Sequence, residues 1–186
     1  QLRLGQNQLT GPIPAEFGGM TALKYLALNT NQLTGPIPAE LGGLTNLEQL
    51  WLNQNGLTGP IPPELGRLTD LQEFWLYVNQ LSGSIPAEIG GMSALTSLSL
   101  NENGLTGPIP PELGGLTNLE TLRLNHNQLS GPIPLELGNL STLTLFDVDD
   151  SQLQLDGNNV IGGIPPGLES VCFRGGGYSN CRRYRE

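Results

Sequence analysis

The chain is 186 residues long, 37% hydrophobic and 5% aromatic, with two cysteines, one histidine and a formal charge of -9. That length supports one domain with a substantial core, and an acidic body argues against nucleic acid as a partner. With no run of about 18 apolar residues and no leader-like segment, nothing in the chain is expected to span or enter a membrane by itself.

From its first residues the chain repeats with a period of 24. A fixed period of this size means stacked units, each too small to bury its own apolar face, that share one continuous core. The chain opens inside a unit, because Gln1-Leu2-Arg3-Leu4 reads as a strand whose preceding half unit is absent. An uncapped solenoid end exposes an apolar edge. The expectation is therefore a fragment, with a signal peptide upstream, or a partner that covers this open amino-terminal end.

Within each unit a Leu-x-Leu segment alternates inward and outward, as in Leu26 and Leu28, Leu50 and Leu52, Leu98 and Leu100, and Leu122 and Leu124. Such alternation at equal spacing predicts short strands joined in a parallel sheet along a concave face. Asparagine follows at Asn7, Asn31, Asn55, Asn79, Asn103 and Asn127, where a buried turn needs a side chain that both donates and accepts hydrogen bonds. Glycine keeps the same step at Gly11, Gly35, Gly59, Gly83, Gly107 and Gly131. The Gly-Pro-Ile-Pro runs preclude a regular helix and predict short extended pieces and single helical turns on the convex side.

Two further columns have structural readings. Glu16, Glu40, Glu64, Glu88, Glu112 and Glu136 recur once per unit. As calcium ligands they would form a chain of carboxylates; more simply, each begins a short helical turn, where the backbone dipole favours negative charge. Thr10, Thr34, Thr58, Ser82, Thr106 and Ser130 also align. A flat hydroxyl array of that kind can match an ice lattice, but this is the minor reading.

The unit Leu119-x-x-Leu122-x-Leu124-x-x-Asn127-x-Leu129-x-Gly131-x-Ile133-Pro134 resembles the leucine-rich repeat. The run Leu-Thr/Ser-Gly-x-Ile-Pro-x-Glu-Leu-Gly stands complete at residues 33–42, 57–66, 105–114 and 129–138, and resembles the plant-type class of that repeat over residues 1–145. The resemblance implies a leucine-rich repeat solenoid, an α/β-type horseshoe or right-handed superhelix with 3-10 segments on its convex side. It also implies a non-enzymatic recognition module. Receptor-kinase ectodomains, receptor-like proteins and polygalacturonase inhibitors of this kind bind a peptide, a protein or a carbohydrate.

Residues 146–186 read as a divergent last repeat and a cap. Ser151 takes the asparagine position, and the expected Gly-x-Ile-Pro arrives seven residues late as Gly162-Gly163-Ile164-Pro165, so this repeat carries an insertion. Cys172 and Cys181 enclose a Gly-rich loop suited to a local disulfide, with two free thiols as the alternative. The pair resembles the disulfide cap of plant-type proteins, in a chain that otherwise lacks cysteine. Asn139-Leu140-Ser141 is a glycosylation sequon and points weakly to an extracellular setting. The last thirteen residues hold Arg174, Arg182, Arg183 and Arg185 against one acid, a contact or simply a solubilising tail.

Nothing in the chain forms a constellation suited to catalysis, and no cofactor or metal is expected. His126 is the single histidine, and Asp147, Asp149, Asp150 and Asp156 lack the glycine and terminal glutamate of a calcium loop. At a neighbour spacing of about 4.8 Å, Arg123 with Asp147 and His126 with Asp150 are most simply cross-strand pairs.

The outward strand positions are free of the fold and so report on a ligand. They read Tyr25, Ala27 and Asn29; Gln49, Trp51 and Asn53; Glu73, Trp75 and Tyr77; Ser97, Ser99 and Asn101; Thr121, Arg123 and Asn125; then Asp147 and Asp149. Trp51 and Trp75 fall on adjacent strands, where solvent exposure wastes burial unless something covers them. The candidate ligand-binding residues are therefore Tyr25, Trp51, Glu73, Trp75 and Tyr77 at one end, with Arg123, His126, Asp147 and Asp149 at the other. The expected function is recognition of a peptide or protein, with carbohydrate as an alternative ligand, by a secreted protein or receptor ectodomain. A scaffold subunit and an inhibitor of a wall-degrading enzyme are the other readings.

Overall fold

The computed structural model describes residues 1–148, 165–168, 171–175 and 178–179. Its longest feature is a nine-stranded sheet, among the described residues, in which the sequence period becomes strand register. The strands are Leu2–Arg3, Tyr25–Ala27, Gln49–Trp51, Glu73–Trp75, Ser97–Ser99, Thr121–Arg123, Leu145–Asp147, Cys172–Gly175 and Tyr178–Ser179. Leu26 pairs with Leu50, Leu50 with Phe74, Phe74 with Leu98 and Leu122 with Phe146, all in parallel. Among the described residues only the final pairing is antiparallel, with Arg174 opposite Ser179 and Gly175 opposite Tyr178.

The first six strands each lead through an asparagine turn into a second parallel sheet, made of Thr10–Gly11, Gln32–Gly35, Gly56–Gly59, Gln80–Gly83, Gly104–Gly107 and Gln128–Leu129. The extended pieces expected from the sequence thus form a ladder of their own. Its register is staggered, Thr34 meeting Gly56 and Gly35 meeting Leu57, so neighbours pair at 22 positions rather than 24. The glycine closing the first five of these strands, and Gly131 just beyond the sixth, have φ between 77° and 84°, at Gly11, Gly35, Gly59, Gly83, Gly107 and Gly131. A side chain is disfavoured in that region, which explains this glycine column.

Opposite the first sheet, five-residue 3-10 segments stack from Ala15–Gly19 to Leu135–Asn139, each entered through a proline that cannot donate a backbone hydrogen bond. The glutamates occupy the first turns of these segments, as the dipole argument requires. A second glycine column sits within the segments: a Cβ on Gly42, Gly66, Gly90 or Gly114 would strike the carbonyl of Glu64, Glu88, Glu112 or Glu136 in the next repeat.

Between the two walls lies the core. One repeat contributes Leu41, Leu44, Leu47, Leu50, Leu52, Leu57 and Ile61, all buried, and the same positions recur in its neighbours. Burying one such side chain stabilises by about 1.5–3 kcal/mol, so stacking rather than local propensity holds the repeats. Burial falls toward Gln1, where Leu9 and Met20 are 37% and 46% exposed and Leu2, Leu4 and Phe17 are half-buried.

Near the other end, Leu168 N donates to Pro165 O and Val171 N to Leu168 O, as Leu137 N does to Pro134 O and Leu140 N to Leu137 O. Leu168 follows Leu137 by 31 positions, whereas Leu137 follows Leu113 by 24. Among the described residues, no helix is long and apolar enough to cross a membrane.

Candidate ligand-binding face

The turn after each strand is fixed from inside. Asn55 Nδ2 donates to Leu28 O and Leu52 O at 3.1 Å and to Asn53 O at 3.3 Å, while its Oδ1 accepts from Leu33 N at 3.1 Å. Asn31, Asn79, Asn103 and Asn127 repeat this pattern, so one amide ties its own strand to the strand and second-sheet segment of the preceding repeat. These asparagines satisfy backbone groups that the curved chain cannot pair by itself.

The residue before each ladder asparagine takes left-handed backbone, with φ of 57° at Gln6, 55° at Thr30, 57° at Gln54, 54° at Val78, 56° at Glu102 and 56° at His126. The sequence gives no sign of this, since none of the six is glycine. Their backbone is held across repeats, for example by Thr30 N to Asn53 O at 2.9 Å and Val78 N to Asn101 O at 3.1 Å. For L residues this conformation costs about 1–2 kcal/mol. It is least suited to the β-branched Thr30 and Val78.

On the outer surface the two indoles do meet. The Trp51 and Trp75 ring centroids lie 4.7 Å apart with planes 6° from parallel. Trp51 Nε1 donates to Glu73 Oε2 at 3.0 Å, Gln49 Nε2 donates to Glu73 Oε1 at 3.1 Å, and Trp75 Nε1 donates to Ser97 Oγ at 3.1 Å. Each indole thus reaches toward the following repeat, and Glu73 holds the first by its N–H. The pair is half-buried and fixed in orientation, a rigid aromatic platform that loses little entropy on contact.

The remaining candidates form two groups. Tyr25 sits beneath the Arg3 guanidinium, 5.6 Å from the ring centroid, and Tyr77 lies two residues beyond Trp75, just past the end of its strand. Arg123 is exposed and pairs in register with Asp147; His126 is exposed, with its Nδ1 2.9 Å from Asn125 Nδ2. Asp149, Asp150, Asp156 and Cys181 lie outside the described residues. Asn139 is exposed at the end of its 3-10 segment.

Alternation places Ala27, Asn53, Ser99 and Asn101 outward, yet all four are buried, at 8%, 2%, 4% and 9% exposure. Ser99 pairs in register with Trp75, whose indole N–H donates to Ser97 on the same strand as Ser99. The amides of Asn53, Asn101 and Asn125 bury their Oδ1 without a hydrogen-bond partner. The accessible concave surface is therefore narrower than the strand pattern implies. It centres on Trp51, Trp75, Tyr77 and Arg123. Among the described residues, no group of three or more His, Cys, Asp and Glu is arranged to hold a metal ion.

A solenoid of 24-residue units with an asparagine ladder and a rigid outer aromatic pair defines the class of protein. The chain belongs to the leucine-rich repeat family: the profile described as a leucine-rich repeat region matches residues 2–179. A search of curated proteins finds no match. Among solved structures it is similar to the ectodomain of the Arabidopsis thaliana plant membrane receptor kinase GASSHO1/SCHENGEN3, in complex with CASPARIAN STRIP INTEGRITY FACTOR 2. The identity is 42% and the TM-score 0.78, covering 81% of this chain and 20% of that one. It is also similar to the ectodomain of the Arabidopsis receptor kinase HAESA with an IDA peptide hormone ligand, at 35% identity and TM-score 0.80, covering 93% of this chain and 28% of that one. A plant ice-binding protein matches at 28% identity and TM-score 0.74, covering 92% of this chain and 54% of that one. The chain thus spans less than two thirds of the length of each.

Proposed function

We propose that the chain is a non-enzymatic recognition module that binds a peptide or protein segment along its concave face, as part of an extracellular protein or receptor ectodomain. The observation that carries this reading is the Trp51 and Trp75 platform, stacked, half-buried and oriented by Glu73 and Ser97. The similarity to the receptor kinase HAESA ectodomain, which holds a peptide hormone ligand, supports it. Tyr77 extends the platform, and Arg123 supplies an exposed cation for an acidic group of the ligand.

The test is selection of phage-displayed random dodecapeptides on the full chain, followed by titration of the selected peptides against native protein and Trp75→Ala. The expected result is at least a tenfold loss of affinity with a melting midpoint lowered by only a few degrees. A large loss of stability with affinity intact would overturn the reading. In the extracellular setting, expression through a eukaryotic secretory pathway should yield a glycan on Asn139, removed by Asn139→Gln. A Cys172 to Cys181 disulfide should give a two-proton mass difference on reduction.

A second reading is favoured by the similarity to a plant ice-binding protein together with the exposed hydroxyl column Thr10, Thr34, Thr58, Ser82 and Thr106 on the second sheet, with Ser130 just past its last strand. Flexible Gln32, Gln80 and Gln128 alternate with Gly56 and Gly104 on the same face and break its flatness. Peptide recognition is accordingly the first reading. Ice recrystallisation inhibition that is abolished by Thr58→Lys and Thr106→Lys would reverse that order, and its absence would remove the alternative.

A further inference from the structure

The fourth repeat breaks two columns at once. After their strands, neighbouring repeats carry Asn29-Thr30, Asn53-Gln54, Asn101-Glu102 and Asn125-His126, whereas this one carries Tyr77-Val78. The polar residues bond along or across the column: Thr30 Oγ1 donates to Gln54 Oε1 at 2.7 Å, and Asn101 Nδ2 to Glu102 Oε1 at 3.3 Å. Val78 can do neither. It holds φ at 54°, a conformation in which a branched side chain is strained and in which asparagine is tolerated far better. Backbone preference therefore does not account for valine here. What valine adds is apolar surface, half-buried, directly after Tyr77 and three residues after Trp75, which ends the strand. Strain that persists where a better-suited residue is available points to function.

We infer that Val78 is a specificity-determining contact, which with Tyr77 and Trp75 receives an apolar side chain of the bound peptide. This rests on the concave peptide-binding reading and sharpens it: the segment of ligand crossing the fourth repeat is apolar, while the segment near Arg123 is acidic or polar. Thr30, strained in the same way but hydrogen-bonded to Gln54 and distant in register from Tyr77, serves as an internal control.

The experiment uses the full chain and phage-displayed random dodecapeptides, selected on native protein and titrated against Val78→Asn, Thr30→Asn and Trp75→Ala. Val78→Asn is expected to melt a few degrees higher than native while binding the selected peptides at least tenfold more weakly. Thr30→Asn is expected to leave affinity within twofold. A purely structural role for Val78 would move stability and leave binding alone. Peptides that lose affinity with Trp75→Ala but keep it with Val78→Asn would overturn the inference and leave concave recognition standing. A Val78→Asn chain that melts no higher than native would remove the strain premise and overturn it too. Selection that yields no Trp75-dependent peptide would overturn the concave reading and this inference with it.

Discussion

The inside and outside of the same turn obey different rules. Inside, Asn31, Asn55, Asn79, Asn103 and Asn127 occupy one column, because each amide answers the same backbone donors and acceptors of its own and the preceding repeat. Outside, the column running through Ala27, Trp51, Trp75, Ser99, Arg123 and Asp147 changes character at almost every step, although its backbone register is equally strict. Register alone therefore does not dictate side-chain identity. A column is uniform where the backbone needs a partner or has no room, and varied where neither demand applies.

Asn79→Ala should produce the largest effect. It removes the donors to Leu52 O and Leu76 O and the acceptor for Leu57 N, leaving partly buried backbone groups unpaired across two repeats. A loss of about 2–4 kcal/mol is expected from those groups. At this chain length that lowers the melting midpoint by roughly 10 °C, measured by circular dichroism. Asn7→Ala is the matched comparison. Its amide reaches only Leu4 O and Gly5 O, both bonds exposed, so it should fall within about 0.5 kcal/mol of native. Equal losses at the two positions would break the distinction between a buried rung and an exposed one.

Next comes Gly66→Ala. The obstacle is the Glu88 carbonyl, a backbone atom in the adjacent 3-10 segment that cannot turn aside as a side chain would. Forcing the two segments apart should cost about 1–3 kcal/mol in a denaturant titration. Gly19→Ala supplies the contrast, since nothing lies near its Cβ position, and it should be almost silent.

How much of this was legible in the sequence follows the same division. The period, the strand positions, the asparagine ladder and the first glycine column could be read because each is a repeated answer to a repeated backbone demand. The pairing of the second sheet, staggered at 22 positions, could not, because its short Gln-Leu-Thr-Gly and Gly-Leu-Thr-Gly segments carry no mark of register. Left-handed backbone at Gln6, Thr30, Gln54, Val78, Glu102 and His126 was hidden for a related reason: inter-repeat hydrogen bonds impose it on residues that would not choose it. On the concave face, alternation identified the Trp51 and Trp75 stack but overstated the accessible surface. Ser99, Asn53 and Asn101 are buried although alternation places them outward, and a period does not report that.

The smallest expected effect lies at the rim of the varied surface, in the Lys24 and Glu48 pair, 2.6 Å apart and one repeat removed from each other. The Lys24 hydrogen bond holds the Glu48 carboxyl below its ordinary value of 4.5, aided by one with Tyr25, and Glu48 in turn raises Lys24 above 10.5. A depressed carboxylate contributes stability that is present above 4.5 and lost as pH falls through the folded value; a raised amine contributes stability that is present below 10.5 and lost as pH rises through its folded value. The contribution should therefore be level between those two values and fade outside them. Glu48→Gln should melt slightly below native at neutral pH, with the difference closing under acid and in high salt, because the Lys24 side chain is 61% exposed and screened. A difference that survives both acid and salt would show that Glu48 acts by packing with Tyr25 rather than by charge. The rim would then belong with the uniform interior rather than with the varied face.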